Sequence, residues 1–487
     1  MQINKRQIGL VLGPLSFFYI LFFFHPEGLE ESANAVLATV SWVAIWWVTE
    51  AISIAITALL PIVLFPLTGA LGLAETTESF GHKYIFLYIG GFILAIAIEK
   101  WNLHKRIALS IIKIVGTNVV NIILGFMVAT AFLSMWISNT AATVMILPMG
   151  LAIVAQLNDN PQTIRNENLI FGKVLMLAIA YSASIGGIST LIGSPTNLVL
   201  AGVIETTFGV EITFSQWFLL AFPISIALLW VCWKYLTRFA FKFKQKAFPG
   251  GKKEIERQLL GLGRMTFEEK VVLIIFSCTA LAWISRSFLL QKMIPGIDDT
   301  VISICTVMLL FVAPAKVKGE RILVWKDAVK LPWDIVLLFG GGLALASGFE
   351  SSGLAFWIGG KLEALDTLPF MIVLIIVIGM VNFLTEITSN IATTAMMLPV
   401  LVSVAPILGV HPYYLMMGAT VAASCAFMLP VATPPNAIVF GSGYLNMGDM
   451  VLKGFWMNIL SIIFLTLFIY FALPLIWDLD AVPSYSK

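Results

Sequence analysis

Two stretches of this sequence place serine, asparagine and threonine inside long apolar surroundings. Residues 131–148 (AFLSMWISNTAATVMILP) contain Ser138-Asn139, and residues 382–399 (NFLTEITSNIATTAMMLP) contain Ser389-Asn390. Serine and asparagine cap helix N-termini, where free amide hydrogens and a partial positive charge bind an anion without arginine. Carbonyl groups at the end of a preceding helix, together with asparagine oxygens, suit a hard cation such as sodium. These residue types therefore predict the binding of small ions.

The two stretches are copies of each other at an offset of 251 residues, with nine of eighteen aligned positions identical. The identical pairs are Phe132/Phe383, Leu133/Leu384, Ser138/Ser389, Asn139/Asn390, Ala141/Ala392, Thr143/Thr394, Met145/Met396, Leu147/Leu398 and Pro148/Pro399. The same offset aligns Gly90-Gly91 with Gly341-Gly342, which we expect to be close helix-packing sites. Polar breaks repeated in both halves of an apolar chain are typical of secondary transporters.

A second polar island follows each copy, at 193–197 (GSPTN) and 432–436 (ATPPN). Ser194-Pro195 and Thr433-Pro434 each predict an N-cap followed by the first residue of a new helix. Such breaks at membrane depth are tolerated only where they are buried or line a wet cavity. We therefore expect four helix N-termini to converge. A single Ser or Thr in a membrane helix is explained by a local hydrogen bond, but two repeated islands favour a binding site.

Composition identifies the class of protein that carries these islands. The chain has 487 residues, of which 59% are hydrophobic and 11% charged, against roughly 25% charged residues in soluble domains. Apolar runs of roughly 20 residues, long enough to cross a bilayer, recur along its length. The net charge of +2 carries no information about nucleic acid, and no nucleic-acid partner is expected. The sequence contains no histidine cluster, nucleophile–base set or phosphate loop. We predict a membrane protein that is not an enzyme.

Hydropathy predicts an all-α polytopic protein with eleven crossings and two double passes. The crossings lie near 7–24, 34–50, 52–71, 84–99, 171–204, 215–236, 270–291, 298–314, 332–349, 413–444 and 450–475. The first is expected to be retained, since no small-residue cleavage site follows it. The double passes, 119–157 and 370–408, have polar tips without charge, Gly or Pro for an aqueous turn. Re-entrant hairpins are therefore expected, with two full spans as the alternative.

Loop charges predict the orientation, because Lys and Arg concentrate in cytoplasmic loops. The loop between the sixth and seventh crossings carries Lys242, Lys244, Lys246, Lys252, Lys253, Arg257 and Arg264, and Lys316, Lys318, Arg321 and Lys326 fall on the same side. Asp478 and Asp480 fall on the other side. This places the N-terminus inside and the C-terminus outside. The fourth and ninth crossings then run in opposite directions, so the two copies are inverted repeats.

At these residues the sequence resembles the divalent anion/sodium symporter family, which comprises sodium-coupled dicarboxylate, citrate and sulfate carriers. The resemblance covers nearly the whole chain and rests most specifically on the paired Ser-Asn motifs. It implies a homodimer whose protomers each combine a scaffold domain with a transport domain that slides as an elevator. The implied divisions are scaffold spans in 1–83, a first inverted repeat in 84–236, a cytoplasmic basic linker in 237–269, scaffold spans in 270–331 and a second inverted repeat with the last span in 332–475.

The resemblance also implies ligand roles, carried over position by position. One sodium ion would be held by Ser134, Ser138, Asn139 and Gly193. A second would be held by Thr385, Thr388, Ser389, Asn390 and Ala432, partly through carbonyls. Substrate carboxylates would meet Asn139, Thr140, Ser194, Ser389, Asn390, Thr433 and Pro434. The family's second motif commonly ends in threonine, whereas this chain has Ile391, which removes a hydroxyl from one end of the site.

Glu386 is the one ionisable residue in the hairpin motifs, and its repeat partner is Met135. An intramembrane carboxylate is a candidate proton or cation site; the alternatives are that it faces an aqueous cavity or pairs structurally.

For the whole chain, the resemblance implies sodium-coupled import of small dicarboxylates, of C4 type or citrate, without an organic cofactor. Short termini and the absence of Asn-x-Ser/Thr sequons predict a bacterial inner membrane. A sodium-independent dicarboxylate exchanger and a sulfate carrier remain as alternatives.

Overall fold

The computed structural model describes residues 5–116, 118–158, 165–243, 251–316, 320–361, 368–477 and 479. The predictions for Lys244, Lys246, Lys318, Asp478 and Asp480, and for the linker stretch 244–250, lie outside these residues, as do those for the side chains of Lys252 and Lys253. Within the described ranges the chain is helical, with one isolated antiparallel bridge between Pro314 and Arg321 and no strands.

The helices divide into three groups along the chain. The first group comprises α1 (Lys5–Phe23), α2 (Glu31–Thr49), α3 (Ile54–Thr57), α4 (Leu60–Thr68), α5 (Leu73–Glu78), α6 (Lys83–Lys100), α7 (Leu103–Val115), α8 (Val119–Ser134) and α9 (Asn139–Asn158). The second comprises α10 (Arg165–Ile188), α11 (Pro195–Phe208), α12 (Phe214–Lys234), α13 (Gly251–Gly261), α14 (Phe267–Ser285), α15 (Gln291–Met293), α16 (Asp299–Val312) and α17 (Trp325–Ala328). The third comprises α18 (Trp333–Ser351), α19 (Leu354–Lys361), α20 (Phe370–Leu384), α21 (Asn390–Val404), α22 (Pro412–Ala423), α23 (Pro434–Phe440) and α24 (Met447–Ile476). Short π-helical stretches, Tyr235–Ala240 and Arg286–Leu290, continue α12 and α14.

Nine helices among the described residues are long and apolar enough to cross a membrane, which confirms a polytopic membrane protein. One of the nine is the hairpin arm α9. The predicted crossings near 52–71, 298–314 and 413–444 are not among them, because their helices are short or interrupted. In 52–71 the chain forms α3 and α4 instead of one span. Proline lies in the first turn of α4 and again within it, at Pro61 and Pro66, and proline has no amide hydrogen for a continuous helical ladder.

The internal repeat is visible in the order of the helices. From α6 to α11 and from α18 to α23, each half contains a glycine-containing helix, a short helix, a two-helix hairpin and a broken helix. The glycines that recur at the 251-residue offset, Gly90 and Gly341, allow close packing. A Cβ on Gly90 would collide with the Ser303 side chain, and one on Gly341 would collide with the Ala58 backbone. The expectation that these glycines permit close helix packing is therefore confirmed.

The helix α10 lies at the centre of the molecule. In its apolar window 83% of residues are buried, against 17% in α1 and 33% in α24, so α10 is covered by protein while the other two expose apolar surface. It packs between the hairpin α8–α9, the helix α12 and the short helix α23. This central position brings the break after α10 next to the hairpin tip.

Candidate functional site

All four polar breaks meet at one place. The tip of the first hairpin contacts the break between α10 and α11, where the Thr190 hydroxyl donates to the Met135 carbonyl at 2.5 Å. In the second hairpin, the Asn382 side-chain amide donates to the Cys425 carbonyl at 2.7 Å, at the break between α22 and α23. The two broken helices contact each other through the hydroxyls of Thr196 and Ser424, 3.0 Å apart. Residues from both halves of the chain are thus assembled into a single site.

The four predicted cap positions are occupied, but only the hydroxyls of Thr433 and Ser138 form a capping hydrogen bond, and those of Ser194 and Ser389 form none. Ser194 and Thr433 have extended backbones and directly precede Pro195 and Pro434 as first helical residues; the Thr433 hydroxyl accepts from the Asn436 amide at 3.3 Å. Ser138 and Ser389 likewise precede α9 and α21, and the Ser138 hydroxyl accepts from the Ala141 amide at 3.2 Å.

The predicted capping role was wrong for the two asparagines of the hairpin tips. Asn139 and Asn390 are the first helical residues of α9 and α21. Their side-chain oxygens point toward hydroxyls of the preceding helices, Ser134 and Thr385, rather than toward the amides of their own first turn.

In the first half, two acceptor oxygens lie within hydrogen-bond distance of the hydroxyl of the fully buried Ser134. Its hydroxyl lies 2.6 Å from Asn139 Oδ1 and 2.7 Å from the Ala183 carbonyl oxygen. A hydroxyl has one hydrogen to donate, so Ser134 can fully satisfy only one of these two acceptors. Further oxygens lie close by, since a Cβ on Gly193 would approach the Gly187 carbonyl oxygen to 2.6 Å and the Ser134 carbonyl oxygen to 3.1 Å. An excess of oxygen lone pairs over hydrogens favours a hard cation.

The second half repeats this arrangement. The fully buried Thr385 hydroxyl lies 2.7 Å from Asn390 Oδ1 and 3.1 Å from the Ala423 carbonyl oxygen. We call the set Ser134, Asn139 and Ala183 the first oxygen triad, and the set Thr385, Asn390 and Ala423 the second. Of the other predicted sodium ligands, Thr388 uses its hydroxyl on the Leu384 carbonyl at 2.8 Å, and Ala432 lies at the rim of the cavity described next.

A cavity of about 610 Å³ is lined by Asn139 of the first triad and Asn390 of the second. Every predicted substrate-binding residue lines it: Asn139, Thr140, Ser194, Ser389, Asn390, Thr433 and Pro434. The predicted sodium ligands Ser138, Gly193, Thr388 and Ala432 also line it, while Ser134 and Thr385 are buried beneath its wall. At one end the cavity reaches Lys5 and Glu50, where α1 begins and α2 ends, and Asp334 of α18 contributes a carboxylate. The described lining contains no arginine, and its lysine, Lys5, lies 3.9 Å from the Glu50 carboxylate, so an anion between the four breaks would rely on helix N-termini and amide hydrogens.

The two sides of the cavity differ at one pair of positions. Thr140 and Ile391, which are equivalent in the repeat, both line it. Thr140 presents a hydroxyl, whereas Ile391 presents an apolar wall. Ile391, which stands where the family's motif commonly has threonine, is therefore in a position to contact a ligand.

Of the three roles considered for Glu386, the structure supports a structural pairing. It is 3% exposed and is not among the residues lining the cavity. Its carboxylate accepts from the amides of Phe427, Met428 and Leu429 at 2.7, 2.9 and 3.0 Å, and from the Asn458 side chain at 2.7 Å. These three consecutive amides lie in the break after α22. Glu386 therefore satisfies buried backbone donors at a point where the helical ladder stops.

Two asparagines of the polar islands have a role that sequence reasoning missed. The Asn197 side-chain amide donates to the carbonyls of Gly187 and Thr190 at 2.9 and 2.7 Å. Asn436 does the same for the carbonyls of Ala426 and Leu429, at 3.1 and 3.0 Å. Both side chains bridge a helix break and hold its carbonyls in place. The signal was present, because Asn is the last residue of both islands.

The family model described as the sodium:sulfate symporter transmembrane region matches residues 4–477. The sodium-dependent dicarboxylate transporter SdcS of Staphylococcus aureus strain USA300 is 47% identical over 479 residues, covering 97% of this chain and 92% of the relative. The same transporter of strain RF122 is 48% identical over the same span.

Two solved structures share the fold at low sequence identity. The Alcanivorax borkumensis YdaH transporter superposes with a TM-score of 0.57 at 15% identity, covering 83% of this chain and 88% of that one. Neisseria gonorrhoeae MtrF superposes with a TM-score of 0.58 at 12% identity, covering 96% and 95% of the two chains. These similarities concern the fold alone.

Proposed function

The chain belongs to the sodium:sulfate symporter family, and from this premise we propose that it transports small dicarboxylates together with sodium ions across a bacterial inner membrane. The observation that carries the proposal is the pair of oxygen triads that each contribute an asparagine to a cavity lined by helix N-termini. The triads offer cation chemistry, and the N-termini offer anion chemistry. The two halves of the site are related by the internal repeat, which suits a substrate with two carboxylates.

The coupling between sodium and substrate would run through Asn139 and Asn390. Each asparagine has its side-chain oxygen in a triad and belongs to the wall of the cavity. An amide group has an acceptor oxygen and two donor hydrogens. With the oxygen held by sodium, the hydrogens are oriented to donate to a carboxylate. Sodium binding then raises substrate affinity, and linkage requires substrate binding to raise sodium affinity by the same factor.

For the wider architecture we infer a homodimer of elevator type with the domain divisions implied by the resemblance. Two salt bridges connect the inferred scaffold to the first inverted repeat, at the end of the molecule that we infer to lie opposite Lys5. Lys83 of α6 pairs with Glu205 of α11 at 2.6 Å, and Arg286 after α14 pairs with Glu211, before α12, at 2.5 Å. By the divisions given above, Lys83 and Arg286 belong to the scaffold regions 1–83 and 270–331, whereas Glu205 and Glu211 belong to the first inverted repeat. The movement that opens this end must break them.

The position of the cavity also indicates the side of the membrane to which it opens. The cavity reaches Lys5 at the start of α1, on the side where the basic loops lie, so the structure corresponds to an inward-facing state if the N-terminus is cytoplasmic. Cysteine accessibility in intact cells tests this assignment. A single cysteine introduced at Lys113 is expected to be protected from an impermeant maleimide and one at Glu31 to be labelled; the reverse pattern would refute the orientation.

Uptake into proteoliposomes tests the function. We expect an inward sodium gradient to drive accumulation of labelled succinate, with little uptake when potassium replaces sodium. Uptake that needs internal dicarboxylate and ignores sodium would identify an exchanger. Sodium-driven sulfate uptake that succinate does not inhibit would identify a sulfate carrier. Either outcome would overturn the proposal.

A further inference from the structure

A second cavity, of about 710 Å³, lies away from the four breaks, between the end of α12 and the first turns of α24. One wall is the π-helical stretch Tyr235–Ala240, and the other begins at Lys453. The Tyr235 hydroxyl donates to the Lys453 carbonyl at 2.9 Å and holds the two walls together. Single π-helical turns are rare and frequently occur at functional sites.

The polar chemistry of this cavity is cationic. Lys234, Arg238 and Lys453 line it, and no carboxylate does among the residues that the structure describes. None of the salt bridges found in the described ranges includes these three cations. The stretch 244–250, which follows closely in the chain, has no acidic residue in its sequence. Three cations without a carboxylate partner favour an anion.

Aromatic rings position the ammonium groups. Lys234 Nζ lies 4.0 Å from the centre of the Trp233 ring, and Lys453 Nζ lies 5.3 Å from that of Phe241. A cation over an aromatic face is attracted to it but keeps hydrogens for other acceptors. The ammonium groups are therefore held in place without being neutralised.

The rim of the cavity is apolar and exposed. Trp230, Phe239 and Trp456 line it and are 57%, 77% and 54% exposed. Tryptophan at the end of a membrane helix is typical of the headgroup level of the bilayer. A free inorganic anion would leave this rim unused. A phospholipid would use both parts, with its phosphate among the cations and its acyl chains along the aromatic rim.

We propose that this cavity binds the headgroup of an anionic phospholipid. Basic pockets between membrane helices on the cytoplasmic side recognise such headgroups, and the basic linker that follows the π-helical stretch lies on the same side by the loop-charge argument. The proposal does not rest on the transport function, because it concerns a surface outside the cavity that holds the two triads.

Thermal unfolding in nanodiscs tests it with the full chain. The protein is reconstituted in phosphatidylcholine with increasing phosphatidylglycerol, and unfolding is followed by tryptophan fluorescence. A ligand of the folded state raises the unfolding temperature. We expect saturable stabilisation by phosphatidylglycerol, and none when inorganic phosphate is added to pure phosphatidylcholine discs.

Variants locate the effect. Lys234→Gln, Arg238→Gln and Lys453→Gln should each raise the half-maximal phosphatidylglycerol fraction about fivefold, since one basic residue near an anionic surface contributes about 1 kcal/mol. Lys453→Arg should keep the wild-type response. Lys361→Gln is the matched control, because the Lys361 ammonium also lies over a tryptophan ring, 5.6 Å from Trp357, but does not line this cavity.

Three results would overturn the proposal. If the wild-type protein has the same unfolding temperature with and without phosphatidylglycerol in the discs, there is no preference for an anionic headgroup. Stabilisation by inorganic phosphate alone would identify a free-anion site. An unchanged response in all three Gln variants would place any lipid effect elsewhere on the molecule.

Discussion

Replacing Thr385 by valine tests the second oxygen triad with little change in shape. Valine keeps the branched side chain and removes one oxygen. In the structure that oxygen lies 2.7 Å from Asn390 Oδ1 and 3.1 Å from the Ala423 carbonyl. Thr385 is fully buried, so water cannot replace the lost group without repacking.

Two opposing losses decide the size of the effect. With sodium bound, the missing oxygen costs about 1.5–3 kcal/mol, as for a hydrogen bond to a charged group. Without sodium, the variant loses an ordinary hydrogen bond worth about 0.5–1.5 kcal/mol. The difference is about 1–1.5 kcal/mol, which corresponds to a five- to tenfold weaker affinity for sodium.

Succinate uptake into proteoliposomes, measured over a range of sodium concentrations, provides the assay. Thr385→Val should raise the half-saturating sodium concentration five- to tenfold and approach the wild-type rate at high sodium. Thr385→Ser should behave like wild type, because serine occupies the equivalent position at Ser134. Thr466→Val is the matched control, since Thr466 is also buried but its hydroxyl makes only a local helix bond to the Ile462 carbonyl at 2.8 Å.

The result that would refute the reasoning is an unchanged sodium dependence in Thr385→Val. The second oxygen triad would then be a structural contact. An equal shift in Thr466→Val would also count against a sodium ligand, because it would point to a general effect of losing a buried hydroxyl.

Three further predictions concern the cavity and the neighbouring break after α22. Asn139→Ala and Asn390→Ala should each lower succinate uptake at least tenfold while the protein stays folded by size-exclusion chromatography, since a lost bond to a charged group costs roughly 1.5–3 kcal/mol; near-normal uptake by either variant would contradict the site. Ile391→Thr adds a hydroxyl worth roughly 0.5–1.5 kcal/mol, so citrate should compete two- to tenfold better against labelled succinate; unchanged inhibition constants would mean that residue 391 does not contact substrate. Glu386→Gln should lower the unfolding temperature because it leaves a buried amide without an acceptor, at about 1–3 kcal/mol, whereas Glu99→Gln at an exposed position should not; equal melting of both variants would exclude the structural role.

Local chemistry in the sequence was enough to predict the breaks. Proline has no amide hydrogen and serine or threonine caps a helix, so Ser194-Pro195 and Thr433-Pro434 predict the starts of α11 and α23 whatever surrounds them. The repeat predicted two equivalent hairpins, because both copies have the same polar pair, serine followed by asparagine, at their tips. The resemblance predicted the family, which the comparisons confirm.

Contacts across the chain could not be predicted in this way. The acceptor oxygens of Glu386 meet amides 41 to 43 residues later and the Asn458 side chain 72 residues later. From the sequence, this carboxylate in an apolar segment was a candidate proton or cation site, with an aqueous cavity or a structural pairing as alternatives. In the first triad the Ala183 carbonyl lies 49 residues from Ser134, and a carbonyl is present at every position of any sequence. Nothing in the residue type marks Ala183 as a participant.

By itself the sequence determined that the chain is a membrane protein with an internal repeat and four polar breaks, because apolar length, repetition and helix capping are properties of residues near one another in the chain. Only the tertiary structure decided which oxygens meet, which asparagines bridge the breaks and which carboxylate is structural. Those outcomes depend on the packing of α10 against the hairpin, which sets distances of a few ångströms between residues dozens of positions apart. Hydrogen bonds weaken steeply with distance and angle, so the chemistry of the site follows from that packing rather than from residue types alone.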